Sequence, residues 1–546
     1  MRVYSAVFVL TMSLACTHTR YSVSSSDQAV SQPKLVVTVV FDQLRADYLG
    51  RFGDQLLPAV RPDGSHGGFR ALMARGAYFP VAEHNVLMSM TGPGHATIAT
   101  GSWPYRHGIA RNRWYENGRK AYCVEDVNAA VTGADSSDPF RGRSPRNLRG
   151  PTFGDTLKGH DPRSKSVSVA IKDRAAILMG GHRPDGVYWV GFDGTWTSSR
   201  YYLGNNKRPD WLAQINAGRA KRASQDYHYD YESTSGRSDQ GPNAVSFKVK
   251  TGDYKAIASP YADEYTLEAV RGAIKAHELG QDEVPDTLWV SFSGFDKVGH
   301  HTGPNSAKME AMFLTADRSL SRLLNHLERT VPGGLDRVLI SVTGDHGVGP
   351  QVEYAQKKGL PSIRQDHRQI RARIEARLAS LFGKPGAGQT WLDGIEDLNL
   401  YINRRLAAVR AIPLRRLEAA AAELLTEEPG VLLATTRHQV LAGILPPGRW
   451  GQQLKNQFVP GRSGDVIGIP APFVLPDKTP ANHYTGYAYD RQVPLLISGP
   501  GIRQGRYHQV VNIIDLMPTL SAAIGTIHPA LAEGRVLHEI LNQRAE

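Results

Sequence analysis

The stretch Leu35-Val36-Val37-Thr38-Val39-Val40-Phe41 is apolar on both faces, rich in β-branched residues, and stops at Asp42. A run without alternation fits a central strand buried in a parallel sheet. Runs of the same kind recur at 167–171, 287–292, 337–343 and 493–498. Between them the apolar positions take helical spacing. Leu267, Val270 and Ile274 share one face of a predicted helix over 264–279. Met309, Met312, Phe313, Ala316, Leu320, Leu323, Leu324 and Leu327 form a stripe along 308–328. Strands alternating with helices predict an α/β fold, a central, mostly parallel sheet flanked by helices on both sides.

Two segments break this rhythm. Residues 195–260, rich in Tyr, Asn, Ser and Gly, read as a long irregular excursion. Residues 352–465 combine Arg/Ala/Leu-rich helices with Pro-Gly breaks and read as an inserted cap domain, leaving 34–351 and 466–546 as the core. At the start, Arg2 followed by the apolar stretch Val3 to Leu14 reads as an export signal over 1–16, and the Ser-rich residues 17–33 as a disordered tether. No other run approaches the ~20 apolar residues of a membrane-spanning helix. Ser13-Leu14-Ala15-Cys16 is similar to a lipoprotein cleavage box, although its leucine stands one place too close to the cysteine. Lipid anchoring at Cys16 and plain cleavage further on both remain open. The expected location is outside the cytoplasm: periplasmic, membrane-anchored or secreted.

Composition narrows the chemistry. The 546 residues carry 64 Lys+Arg against 52 Asp+Glu, a formal charge of +12 that suits anionic partners. The basic residues are dispersed, and no zinc-finger, helix-turn-helix or RNA-binding pattern accompanies them, so no specific nucleic-acid binding is expected. With Cys16 and Cys123 the only cysteines, a thiolate metal site is excluded, and any metal must be held by His, Asp and Glu.

Such residues stand where predicted strands end. Asp42 closes 35–41, and Gly294-Phe295-Asp296-Lys297-Val298-Gly299-His300 follows 287–292. Gly344-Asp345-His346-Gly347 follows 337–343, and His483 precedes 493–498. Ligands in such sheets gather at the carboxyl edge. Asp42, Asp296, His300, Asp345, His346 and His483 are therefore candidate ligands, enough for two zinc ions roughly 4 Å apart. Taken singly, each motif reads equally well as a helix cap or a surface turn. Asp296 and His300 are four apart, one helical turn, which favours His300 over the adjacent His301. Ser89 to Gly101 reads as a loop entering a short helix, with Pro93 in the first turn and Gly101 beyond the end. Thr91 at its start is either a nucleophile, which an activating metal must assist, or simply a helix cap. His95 reads as a packing or hydrogen-bonding residue.

Together, FDQLRADYL, MTGPGHATIATG, HGIARNRWY, IKDR, SGFDKVGHHTGPNS, TGDHG and YDRQVPLLISGPGI resemble the alkaline phosphatase superfamily, specifically its phosphate-irrepressible (PafA-type) alkaline phosphatases. The resemblance runs from Asp42 to Leu520. It implies an alkaline-phosphatase-like sheet with an inserted cap, two Zn2+ ions, and a phosphothreonine formed on Thr91. Asp42, Asp345 and His346 would hold one ion with the Thr91 oxygen, and Asp296, His300 and His483 the other. Lys172, Arg174, Asn112 and the Gly92 backbone N–H would contact the phosphoryl oxygens. A Lys/Arg pair suits the dianion of a phosphate monoester, and related nucleotide phosphodiesterases lack it. Thr91-Gly92-Pro93-Gly94 lacks the Cys or Ser and the Arg of the sulfatase motif. The expected activity is zinc-dependent hydrolysis of small phosphate monoesters. The alternatives are a nucleotide phosphodiesterase/pyrophosphatase of the same superfamily and a non-catalytic phosphate-binding protein. The oligomeric state is open, with a monomer favoured.

Overall fold

A computed structural model describes residues 32–133, 142–204, 207–239, 241–476 and 478–542. The export signal, Cys16 and most of the tether lie outside these residues.

Seven strands build the main sheet: β1 (Leu35–Phe41), β2 (Gly76–Glu83), β3 (Ser166–Ala170), β4 (Gly186–Val190), β5 (Asp286–Phe292), β6 (Val338–Thr343) and β7 (Gln492–Ser498). Their order is β2-β7-β6-β1-β5-β3-β4, with short strands at both margins. β1 pairs in parallel with both β5 and β6, and β3 continues in parallel between β5 and β4. β7 runs antiparallel to β6 and β2. The sheet is thus mostly parallel, and the exception matters: the residues preceding β7 lie at the edge where the parallel strands end.

The unbroken apolar run of β1 has a direct cause. Val37, Val39 and Phe41 pack into a core shared with the helices α3 (Tyr261–Ala276) and α5 (Ala307–Thr330). Val36 and Val40 face a second core on the opposite side, built with Leu516, Met517 and Leu520. Each fully buried aliphatic side chain contributes about 1.5–3 kcal/mol by leaving water, so both faces must be covered. Ser306 starts α5 by accepting the Met309 N–H, and the apolar stripe then binds it to the sheet.

The excursion at 195–260 is more regular than its composition suggests. It contains a helix, Asp210–Lys221, and a hairpin of Asp226–Glu232 with Ala244–Lys250. Tyr227, Tyr229 and Tyr231 alternate with polar residues and pack on the first core, a strand period carried by tyrosines. The insert holds a separate sheet in the order Leu392–Glu396, Asn399–Ile402, Val466–Pro470, Val431–Thr436. It has its own core around Ile374, Trp391, Leu417 and Leu425. Val466–Pro470 therefore belongs to the insert's sheet, although the sequence boundary at 465 assigned it to the core.

Candidate active site

Thr91 is the first residue of α1 (Thr91–Thr100), fully buried beyond the end of β2. Gly94, one turn on, faces the Asp345 carbonyl so closely that any Cβ there would meet that oxygen at 2.4 Å. Only glycine lets α1 approach the end of β6 in this way. Two cations converge on the threonine. Lys172 Nζ lies 3.3 Å and Arg174 Nη2 3.2 Å from Thr91 Oγ1. Both come from the junction of β3 with α2 (Asp173–Gly180). Asp173 is pinned by the Tyr122 hydroxyl at 2.5 Å and Arg143 Nε at 2.6 Å, and its Oδ1 accepts the Arg174 N–H at 2.7 Å. Nothing in the sequence singled out this support, because Tyr122 and Arg143 reach it from a segment far along the chain.

Asn112 is present where expected, but Gly92 acts differently from the sequence reading. The Gly92 N–H donates to Asn112 Oδ1 at 2.7 Å. Its donor is thus committed to orienting the asparagine amide, which leaves Asn112 Nδ2 as the group that can donate to a phosphoryl oxygen.

The six candidate ligands meet at one edge of the sheet. Asp296 and His300 lie on α4 (Gly294–Thr302), with His300 Nε2 at 3.2 Å and His483 Nε2 at 3.4 Å from Asp296 Oδ1. His346 Nε2 lies 3.2 Å from Asp345 Oδ2 and 3.4 Å from Asp42 Oδ1. Each of these three histidines ties its other nitrogen to a backbone carbonyl. His300 Nδ1 bonds Ala481, His483 Nδ1 bonds Ser89 and His346 Nδ1 bonds Gly347, all at 2.9 Å. That arrangement fixes the tautomer and aims Nε2 inward, as metal-binding imidazoles require. His301, by contrast, is exposed.

Asp296, His300 and His483 form one cluster with metal-ligand spacing, and Asp42, Asp296 and His346 another. A third, Asp42 with His95 and Asp345, is also close enough. His95 is nonetheless a poor ligand, because Nδ1 bonds the Thr91 carbonyl at 2.8 Å and Nε2 bonds Ser291 Oγ at 2.9 Å. Both nitrogens are occupied, as its reading as a hydrogen-bonding residue requires.

Gln43 completes the cluster from a strained backbone position, φ 77°. Its N–H donates to Asp345 Oδ1 at 3.0 Å and its Nε2 to Asp296 Oδ1 at 2.8 Å. Gly299 leaves room for this amide, since a Cβ there would come within 1.7 Å of Gln43 Oε1.

The electrostatics are those of buried carboxylates crowded against cationic and imidazole groups. Asp42, Asp296 and Asp345 are all buried, and Lys172 Nζ is shared between Asp42 and Asp296 at 2.6 Å each. Burial, reinforced by Asp345, pushes Asp42 above the usual carboxylate range. For Asp296, burial opposes ionisation, but His300 and Lys172 outweigh it and hold the group well down. Burial, helped by His346, pushes His483 down to about 3, so it presents a neutral imidazole. His346 goes the other way, to about 9, because Asp345 overcomes its burial. Asp42 Oδ1, Asp345 Oδ2 and His346 Nε2 are buried without a hydrogen-bond partner. Buried polar atoms are rarely left so, and divalent cations would satisfy all three. The donor set of carboxylates and imidazoles without thiolate fits zinc. A cavity of about 460 Å³ opens over Thr91, Asn112, Lys172 and Arg174 toward solvent.

A buried threonine between a Lys/Arg pair and a metal-binding edge of an α/β sheet defines a phosphoryl-transferring hydrolase. Residues 36–472 match the family model of type I phosphodiesterase / nucleotide pyrophosphatase. The chain is 31% identical to alkaline phosphatase PhoV of Synechococcus elongatus, over 94% of each chain. It is 29% identical to alkaline phosphatase PafA of Elizabethkingia meningoseptica, over 94% of this chain and 96% of that one. The crystal structure of PafA superposes with a TM-score of 0.83 at 28% identity, covering 94% of this chain and all of the other. The chain belongs to the type I phosphodiesterase / nucleotide pyrophosphatase family, within the alkaline phosphatase superfamily, and is an enzyme of the alkaline phosphatase type.

Proposed function

We propose that this enzyme hydrolyses small phosphate monoesters to an alcohol and inorganic phosphate, through a phosphothreonine on Thr91. The observation that carries the reading is the position of Thr91 Oγ1, 3.3 Å from Lys172 Nζ and 3.2 Å from Arg174 Nη2. Two cationic side chains at the nucleophile match the two negative charges of a monoester dianion better than the single charge of a diester.

Asp42, Asp345 and His346 would hold one Zn2+ and Asp296, His300 and His483 a second. When bound, these ions supply the positive charge that makes an alcohol a competent nucleophile and steadies a departing oxygen. The protein's own groups do the rest. Thr91 Oγ gives up its proton to solvent water and attacks phosphorus in line with the ester oxygen. The new O–P bond forms as the bond to the alcohol breaks, and the alcohol leaves with a proton from water. Lys172, Arg174 and Asn112 Nδ2 hold the equatorial oxygens, where charge spreads in the transition state. A water then attacks the phosphothreonine, restoring the hydroxyl and releasing phosphate. Arg2 and the apolar stretch Val3 to Leu14 support a site of action outside the cytoplasm.

The test compares an aryl phosphate monoester with its matched diester on zinc-loaded protein. A strong monoester preference is expected. A diester preference would move the assignment to nucleotide phosphodiesterase, and tight phosphate binding without turnover to a binding protein.

A further inference from the structure

The insert touches the catalytic loops through a row of amides. On α6 (Arg449–Gln457), Gln453, Asn456 and Gln457 stand at positions i, i+3 and i+4, one helix face, and all three are buried. Gln453 Nε2 donates to the Gly486 carbonyl at 3.0 Å, three residues after His483. Asn456 Nδ2 donates to the Asn85 carbonyl at 2.7 Å. Gln457 bridges two loops at once. Its Oε1 accepts the Met88 N–H at 3.3 Å, and its Nε2 donates to the Ala110 carbonyl. Met88 lies three residues before Thr91, and Ala110 two before Asn112.

Two further contacts from the insert close on the same short segment. Arg462 Nη1 donates to the Gly108 carbonyl at 2.6 Å. Asp397 pairs with Arg111, whose side chain is almost fully buried in the wall of the cavity. Asp397 and Leu398 both hold positive φ, 43° and 60°, as the two-residue turn joining Leu392–Glu396 to Asn399–Ile402. Residues 108–112 are thus gripped at Gly108, Ala110 and Arg111 from outside the core.

From this geometry we infer that the insert is a positioning element for catalysis, and that Gln457 sets the separation of Thr91 from Asn112. By tying Met88 to Ala110, the amide spans the two segments whose spacing lets the Gly92 N–H meet Asn112 Oδ1 at 2.7 Å. Gln457 is a positioning residue: it touches neither the threonine hydroxyl nor the asparagine amide. The inference rests on the reading of Thr91 and Asn112 given above, and the experiment separates the two.

Steady-state hydrolysis of an aryl phosphate monoester is measured for the zinc-loaded wild type, Gln457→Met, Asn112→Ala and the double variant, with melting temperatures alongside. Methionine keeps the length and removes both hydrogen bonds. Displacing an oriented group by a fraction of its contact distance costs about 10- to 100-fold, the loss in kcat/KM expected for Gln457→Met. In the Asn112→Ala background the same substitution is expected to cost less than about threefold, because the group it positions is gone. Equal losses in both backgrounds would overturn the inference and leave Gln457 as a residue of the fold alone. Should Gln457→Met fail to fold, Gln457→Glu replaces it. It keeps the acceptor for Met88 but sets a carboxylate oxygen against the Ala110 carbonyl, and the same non-additivity is expected. An Asn112→Ala variant with unchanged activity contradicts the functional reading itself, and shows this without Gln457 being altered; the inference falls with it.

Discussion

The side-chain amide of Gln43 donates to Asp296 Oδ1 at 2.8 Å, while the backbone of the same residue holds Asp345 Oδ1 at 3.0 Å. One residue, directly after Asp42, thus orients a carboxylate of each proposed metal site. Outer partners of this kind are worth about 10- to 100-fold in metal affinity. Gln43→Ala is expected to weaken zinc binding by that amount, read by chelator competition on metal-free protein, with secondary structure unchanged. Unaltered affinity would show that the ligands orient themselves.

Lys172 and Arg174 flank Thr91 Oγ1 at nearly equal distances. Losing one donor to a developing oxyanion costs about 10²- to 10³-fold. Lys172→Ala and Arg174→Ala should each lower monoester kcat/KM on that scale and diester kcat/KM much less. A parallel loss on both esters would mean that the pair does not select the substrate class.

His95 and His346 both lie within reach of Asp345 Oδ2, at 3.2 Å each. Only His346 Nε2 lacks a hydrogen-bond partner. Elemental analysis is expected to find the full zinc complement in His95→Gln and reduced zinc in His346→Ala. A loss of metal in His95→Gln would place His95 among the ligands.

Among the described residues, the Asp263 carboxylate, buried on α3, accepts one long hydrogen bond, from Ser319 Oγ at 3.4 Å, and its Oδ1 has no hydrogen-bond partner. Burial raises its carboxyl from 3.8 to about 7. A folded-state pKa above the unfolded one gives stability that is complete below the unfolded value and is lost as pH rises toward the folded one. The cost of Asp263 therefore grows between pH 3.8 and about 7 and is on the order of a few kcal/mol above that range. Asp263→Asn should raise the melting temperature at pH 8.5 and have little effect at pH 4, as followed by thermal unfolding. An equal shift at both pH values would assign the effect to packing.

Much of the candidate site is legible in the sequence because its candidate ligands sit in sharp motifs at strand ends. Asp42, Asp296, Asp345 and His346 each follow a run of buried apolar residues. His483 is harder to place. It precedes its strand, and only the antiparallel course of β7 brings it to the same edge as the others. That course is set by pairing with β2 and β6, long-range contacts that no local pattern encodes. β2 itself escapes a pattern search because Pro80 interrupts it and its register shifts between Phe79 and Ala82. The Gly92–Asn112 hydrogen bond and the grip of the insert on residues 108–112 depend on segments that meet only after folding. The charged alternation at 226–232 hid a strand because its apolar face is tyrosine.

The most direct test of the central claim is turnover of an aryl phosphate monoester by zinc-loaded Thr91→Ala, set beside the wild type at alkaline pH. The fold and metal content are expected to persist, and product formation to fall to the background rate. Near-normal zinc-dependent turnover by Thr91→Ala would contradict a threonine nucleophile and the account built on it.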